Sequence, residues 1–162
     1  MGTQVITLRG TVEQADVQRV RAIAESTGFF YPDEIDTAVE LVEDRLSKGP
    51  RCGYHFLFAE EEGRTVGFTS YGPIACTRTS YDLYWIVVAG DFRGKGLGTS
   101  LLKASENAIS SLGGTRIYIE TSMRDLYEPT RAFYLARGYT AAAVLDDFYA
   151  PGDAKVIYQK VI

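Results

Sequence analysis

One histidine, one tryptophan and two cysteines are spread over 162 residues, and each scarcity removes a class of protein. Cys52 and Cys76 lie far apart, and a lone pair in so long a chain makes neither a disulfide framework nor a metal-ligand spacing. Both are read as reduced thiols, and no metal is expected. His55 sits in Tyr54-His55-Phe56-Leu57-Phe58 with no second ligand or base nearby in sequence. It reads as a structural residue on the strand face opposite the flanking aromatics. No apolar run approaches membrane length, and Met1-Gly2-Thr3-Gln4 lacks the basic and apolar character of a secretory signal. Gly2 followed by Ile6 lacks the hydroxyl residue of a myristoylation signal. A cytoplasmic protein with no membrane partner is expected. No basic run appears either, and a net charge of -4 with a pI near 5.1 argues against nucleic acid as a partner. A cationic partner is electrostatically easier.

What is present is apolar and well patterned. With 46% hydrophobic residues, the chain can bury a sizeable core, and residues 1–162 read as one domain without repeat, linker or low-complexity tract. Val5 to Arg9 alternates as a short strand. Thr11-Val12-Glu13-Gln14 has the spacing of a capping box ahead of a helix through Val17, Val20 and Ala24 that stops near Gly28. A second helix carries Ile35, Val39, Val42 and Leu46 between Pro32-Asp33 and Gly49-Pro50. Strands follow at Tyr54 to Ala59, Thr65 to Tyr71 and Tyr81 to Val88, the first two joined by a charged turn at Glu60 to Arg64. Then come a helix ending at Gly113-Gly114, a strand at Arg116 to Glu120, a helix at Pro129 to Arg137, and strands at Tyr139 to Leu145 and Lys155 to Val161. The order β-α-α-β-β-β-α-β-α-β-β implies an α+β fold with a mixed sheet flanked by helices.

The most telling segment is Arg93-Gly94-Lys95-Gly96-Leu97-Gly98-Thr99, between the apolar strand Leu83 to Val88 and a helical stripe through Leu101, Leu102, Ser105, Ala108, Ile109 and Leu112. A helix N-terminus offers unpaired N–H donors and the positive end of a dipole, and glycine lets an anion approach without a Cβ in the way. Arg93 and Lys95 add charge for a phosphate group. A Walker loop is excluded because Gly90 is one residue too close to Gly94-Lys95 and Gly96 follows the lysine. The dinucleotide fingerprint is excluded because the spacing is Gly-x-Gly-x-Gly and the loop lies past the middle of the chain. A glycine-rich turn without a ligand is the plain alternative.

The last helix places Ala132, Leu135, Ala136 and Tyr139 on an apolar stripe, which points Tyr134 the other way, toward a ligand or simply toward solvent. Phe29-Phe30-Tyr31 is read as core packing or as a wall of an acceptor pocket. Asp146 to Asp153 joins the last strands through Pro151-Gly152-Asp153, a turn by its chemistry.

Arg93-x-x-Gly96-x-Gly98 after Ile86-Val87-Val88, followed some forty residues later by Phe133-Tyr134-Leu135-Ala136-Arg137-Gly138-Tyr139, resembles the GNAT superfamily of acyl-CoA N-acyltransferases. The resemblance implies that coenzyme A, as acetyl-CoA, is the anion. Ile86, Val87 and Val88 would pair with its pantetheine arm, and Arg93, Gly94, Lys95, Gly96, Leu97, Gly98 and Thr99 would hold its pyrophosphate, with Phe133 alongside. Tyr127 stands where many members carry a pantetheine-bonding asparagine and offers a hydroxyl instead. Gly90 stands where a proline is common. The resemblance makes Tyr134 the general acid toward the departing thiolate. Asp82 is the candidate base, on a strand whose alternation would put Asp82, Tyr84, Ile86 and Val88 on one face. Glu120 is the substitute. In the family, the last connection borders the acceptor, which points to Asp147 and Tyr149 as substrate-binding residues, and Phe30 and Tyr31 join them if their aromatic segment is a wall of the acceptor pocket. The acceptor would be a primary amine on a small molecule or a protein, and a homodimer is compatible. Two rival readings are a non-catalytic acyl-CoA-binding domain and an interaction module with a vestigial loop.

Overall fold

In a computed structural model, residues 5–162 are described. The expectations about a signal or lipid at Met1 to Gln4 lie outside them. Eleven regular elements follow in the expected order: β1 (Ile6–Arg9), α1 (Asp16–Thr27), α2 (Pro32–Lys48), β2 (His55–Glu61), β3 (Arg64–Pro73), β4 (Ser80–Val88), α3 (Leu97–Ser111), β5 (Arg116–Ser122), α4 (Glu128–Ala136), β6 (Thr140–Ala150) and β7 (Asp153–Val161). The strands form one sheet in the order β1-β2-β3-β4-β5-β7-β6. All neighbours are antiparallel except β4 and β5.

Strand β3 is buried at every position from Thr65 to Gly72, on both faces, because helices cover the sheet on both sides. Helix α1 packs over β3 and β4 with α2 against it, and α3 packs over the same strands. Val20, Val42, Phe58, Val66 and Phe68 are fully buried in the resulting core. The β2–β3 turn holds Glu62 and Gly63 at φ 48° and 79°. Two successive positive φ values are what a two-residue hairpin needs to match strand twist.

The expected capping box at Thr11 to Gln14 is not where α1 starts. The helix begins at Asp16, and its carboxylate replaces the box by accepting the Glu13 N–H at 2.8 Å. Asp16 is fully buried and also takes Arg9 through both guanidinium nitrogens, at 2.8 and 2.9 Å, with Arg19 at 3.0 Å. Arg9 in turn reaches Glu60 of β2 at 2.8 Å. The polar cluster therefore pins edge strand β1 to both α1 and β2. Burial raises the Asp16 carboxyl, but the hydrogen bonds from Arg9, Glu13 and Arg19 outweigh it and hold it below the usual range. Breaking one partner of such a pair leaves a buried charge uncompensated. Asp16→Ala is expected to cost about 3 kcal/mol in urea unfolding at pH 7. The wild-type advantage should shrink only below the ordinary aspartate range, as the depressed carboxyl finally protonates.

Candidate active site

Strands β4 and β5 are parallel neighbours over only three residue pairs, Ser80 with Arg116, Tyr81 with Ile117 and Asp82 with Tyr118. Beyond Asp82 they separate, and β5 continues against β7 alone while β4 continues against β3 alone. Ala89 N–H donates to Val66 of β3 at 2.9 Å. By strand alternation Val87 and Trp85 also turn their backbone groups toward β3, so Ile86 and Val88 present theirs to the opened side. The gap is a cleft of about 1300 Å³.

A bulge shapes its wall. Ser70 faces Trp85 while Tyr71 faces Leu83, which leaves Tyr84 as the extra residue. The expectation that Asp82, Tyr84, Ile86 and Val88 share one face is thereby corrected. Ile86 lies opposite Thr69, whose hydroxyl meets Ser105 of α3 at 2.8 Å, so Ile86 is on the α3 side. Tyr84 and Trp85 point to the other side, edge-to-face with Tyr54 at 5.5 Å and with Phe30 at 5.2 Å. The cleft still collects every residue from Asp82 to Val88, because it follows the strand's open edge rather than one face.

At one end of the cleft lies the glycine loop. Gly94 and Gly96 have φ of 76° and 79°, which side chains rarely adopt, and Gly96 caps α3 with no side-chain acceptor and no acid in the first turn. The opening N–H groups of α3 are thus left for an anion from outside. Gly98 lies against Phe133, and a Cβ there would make ordinary van der Waals contact with the ring at 3.4 Å. Arg93, Gly98, Phe133 and Tyr127 line the cleft, while Gly94, Lys95, Gly96 and Thr99 are exposed beside it and Leu97 is a buried core residue. Arg93 rests 4.1 Å above the Phe29 ring. Lys95 instead lies over Phe92 at 4.5 Å, away from the cleft walls. Arg137, which sequence reasoning passed over, donates to the Thr99 hydroxyl at 3.0 and 2.6 Å and covers Phe133 at 3.8 Å, tying α4 to the start of α3. Its one sequence signal is its place just before Gly138. Gly90 has a steric reason to be glycine, because a Cβ would meet the Ser26 carbonyl oxygen at 2.6 Å.

The orientation of α4 is the reverse of the expected one. Leu135 is 53% exposed, with Ala132 and Ala136 also outside, while Tyr134 is buried against Tyr139, Tyr158 and Phe133 and lines the cleft. A tyrosine ring carries enough apolar surface to serve the core while its tip borders a cavity. Burial alone pushes its hydroxyl well above the ordinary tyrosine range, so it stays protonated across the neutral range.

The other end of the cleft is aromatic and acidic. Phe30, Tyr31, Tyr54, Tyr84, Trp85 and Tyr149 line it together with Asp82, Glu120 and Asp153. Glu120 is bound to the nearly buried Lys155 at 2.6 Å. Asp82 has no such partner, and burial first, then repulsion from Glu120, lifts its carboxyl to about 6 against the pull of Lys155. Asp147 does not reach the cleft. Its carboxylate accepts the Gly152 N–H at 2.7 Å and its own φ is 54°, so it shapes the β6–β7 arch. That connection is less of a turn than expected, since β6 runs to Ala150, with residues 146–149 bulging opposite Ala154 and carrying Tyr149 to the cleft. Tyr54, Tyr84, Trp85, Arg124 and Asp153 were missed, because contacts made across segments so distant in sequence leave no local pattern. His55 stacks on Tyr71 at 5.5 Å outside the cleft.

Ionised Asp82 is unfavourable in the fold. A carboxyl whose folded value is about 6, against an ordinary 3.8, makes stability fall as pH rises between those values. Asp82→Asn is expected to raise Tm at pH 7 in calorimetry, with the difference disappearing by pH 4.

Residues 19–139 match the model of the acetyltransferase (GNAT) family. No curated protein matches the sequence. A solved GNAT-family protein from Desulfovibrio desulfuricans is 44% identical, with 97% of this chain and 99% of that one aligned at a TM-score of 0.95. The ribosomal-protein-S18-alanine N-acetyltransferase of Escherichia coli aligns over 98% of this chain and 94% of its own at 17% identity and a TM-score of 0.77. An aminoglycoside 6'-N-acetyltransferase solved with coenzyme A aligns over 97% and 96% at 22% identity, also with a TM-score of 0.77. The last two share the fold. Among the described residues, no helix is long and apolar enough to cross a membrane.

Proposed function

Since the chain belongs to the GNAT family of acetyltransferases, we propose that it moves the acetyl group of acetyl-CoA to a primary amine by direct attack within the β4–β5 cleft. The observation that carries this reading is the meeting of three features in one cleft: an open backbone edge, a protonated tyrosine and an unpaired carboxylate. The pyrophosphate would sit against the N–H groups that open α3, near Arg93. The pantetheine arm would lie along Ile86 to Val88 and take backbone hydrogen bonds as an added strand does. Tyr127 and Phe133 flank the same channel.

An ammonium acceptor must lose a proton before it can attack. Asp82 is the better base, directly or through a water, because a carboxyl at about 6 is ionised at neutral pH yet basic enough to hold a proton. Glu120 is occupied by Lys155 and acts on Asp82 through charge. The amine nitrogen then bonds to the thioester carbonyl carbon, the carbon–sulfur bond breaks, and the sulfur takes a proton from the Tyr134 hydroxyl. The proton that the nitrogen sheds on becoming an amide returns by way of solvent to the Tyr134 phenolate, while Asp82 releases its own proton to solvent. The products are an acetamide and coenzyme A. A phenol held above its usual range is a reluctant acid but a permanently loaded donor, so its hydrogen bond to sulfur strengthens only as thiolate charge develops.

Two measurements test the roles. Tyr134→Phe should lower kcat by about 10²-fold or more while acetyl-CoA still raises Tm as it does in wild type. Retained turnover removes the acid role, and an acetyl-CoA shift without turnover in wild type favours a non-catalytic binding domain. The rate should fall below pH 6, as Asp82 protonates. Asp82→Asn should be slow and lose that limb, and a limb that persists in the variant assigns the base elsewhere.

A further inference from the structure

Three segments far apart in sequence meet at one guanidinium. Arg124, in the loop between β5 and α4, donates to the Tyr31 hydroxyl at 3.1 Å, pairs with Asp153 at 3.3 Å and approaches the Ser122 hydroxyl at 3.4 Å. Its charge also lies over the rings of Tyr31 and Tyr127, at 5.5 and 5.4 Å. Tyr31 belongs to the segment leading into α2, and Asp153 opens β7. All of these residues line the cleft. Arg124 therefore joins its two outer walls across the acceptor end.

The join is held from behind. Arg131 donates to the backbone oxygens of Ser122 and Arg124, at 2.9 and 2.8 Å, which fixes the loop that presents the guanidinium. The Ser122 hydroxyl donates to Asp153, whose side chain is only 15% exposed. At the other wall, the Tyr31 N–H donates to Glu34 at 2.8 Å, holding the backbone from which its ring projects. A clamp with both ends fixed gains more from each hydrogen bond than a pair of free side chains would.

The clamp also settles the local charge. Arg124 neutralises Asp153, Lys155 neutralises Glu120, and Glu34 is used by the backbone of Tyr31. Asp33 is exposed on the cleft lining, and Asp82 is left as the half-buried acid of the acceptor end without a cation or N–H partner among the described residues, with the rings of Tyr54, Tyr84 and Trp85 lining the same end. Such a site has room for one ammonium and an apolar body. The one other unpaired carboxylate of the lining, Asp33, is exposed and not half-buried like Asp82, so a second ammonium would be held only by a solvated charge, and the outer end is bridged against an extended chain.

We infer that Arg124 is a specificity-determining residue that closes the acceptor end, and that the acceptor is a compact primary amine with an apolar or aromatic body rather than a polypeptide N-terminus or a polyamine. The inference rests on the acetyltransferase reading. Its test compares kcat/KM for 2-phenylethylamine, spermidine and an alanine-terminated hexapeptide, by thiol release from acetyl-CoA. Wild type should prefer 2-phenylethylamine by about tenfold or more, the difference that a single well-made contact supplies. Arg124→Ala should raise hexapeptide use relative to 2-phenylethylamine by a similar factor, chiefly through KM. Tyr31→Phe, which removes only the hydroxyl, should move the ratio the same way by less. Equal or better use of spermidine or the hexapeptide by wild type overturns the inference, and so does an unchanged ratio in folded Arg124→Ala. Absence of thiol release with every amine tried instead overturns the acetyltransferase reading itself.

Discussion

The parting of β4 from β5 after Asp82 is the constraint on which the rest of the molecule depends. A parallel pair that continued to Val88 would satisfy the backbone of both strands and leave no cleft. Parting after three pairs leaves the Ile86 and Val88 backbone groups without a partner on that side, in a region otherwise surrounded by core. Buried backbone groups seek hydrogen bonds, so the opened edge is a standing demand for a strand-like ligand. The bulge at Tyr84 serves the same end. It twists β4 where the separation begins and turns two successive aromatic residues, Tyr84 and Trp85, toward the α1–α2 side.

Proton handling then follows from depth. Tyr134 is packed among aromatic rings and keeps its proton because burial penalises the phenolate. Asp82 stands at the fork of the strands, half-buried and close enough to Glu120 to feel its charge, and holds its proton up to about 6. The two groups differ by the kind of burial they have, apolar for the donor and shared with another acid for the acceptor. Lys155 keeps the second acid from raising the first further, and its own charge is held over the Phe148 ring at 3.6 Å. The proposed roles of the two groups, one as acid and one as base, would need this separation of environments.

Much of this was legible in the sequence, and the illegible part has a common cause. Element order, the glycine loop and the placement of Tyr134 on a helix are local patterns, and local patterns survive in one dimension. What failed were statements about direction. The apolar stripe of α4 suggested Leu135 inside and Tyr134 outside, and the reverse holds because the tyrosine's larger apolar surface takes the core position. Strand alternation placed Asp82 with Val88, and one inserted residue broke it. Asp147 looked like a substrate ligand by composition, but a carboxylate two to five residues from free N–H groups in a tight arch is used by the arch. Arg124 and Asp153 gave no advance sign, and Arg137 only its place before Gly138, because each acquires meaning from a partner at least twenty-nine residues away.

The two ends of the cleft are built on different physical terms. At the donor end the requirements fall on the backbone: φ values at Gly94 and Gly96, and room for Ser26 at Gly90. Few substitutions can meet them, since a Cβ either strains the chain or collides. At the acceptor end the requirements fall on side chains such as Tyr31, Arg124, Tyr149 and Asp153, all of them half-buried or exposed and carried by connecting segments or strand ends. Those positions can change without disturbing the sheet, because no core packing depends on them. A fold divided in this way can keep its donor while its acceptor changes, and the identity of the acceptor therefore has to be read from the clamp and the charges around Asp82, not from the loop that first marks the chain.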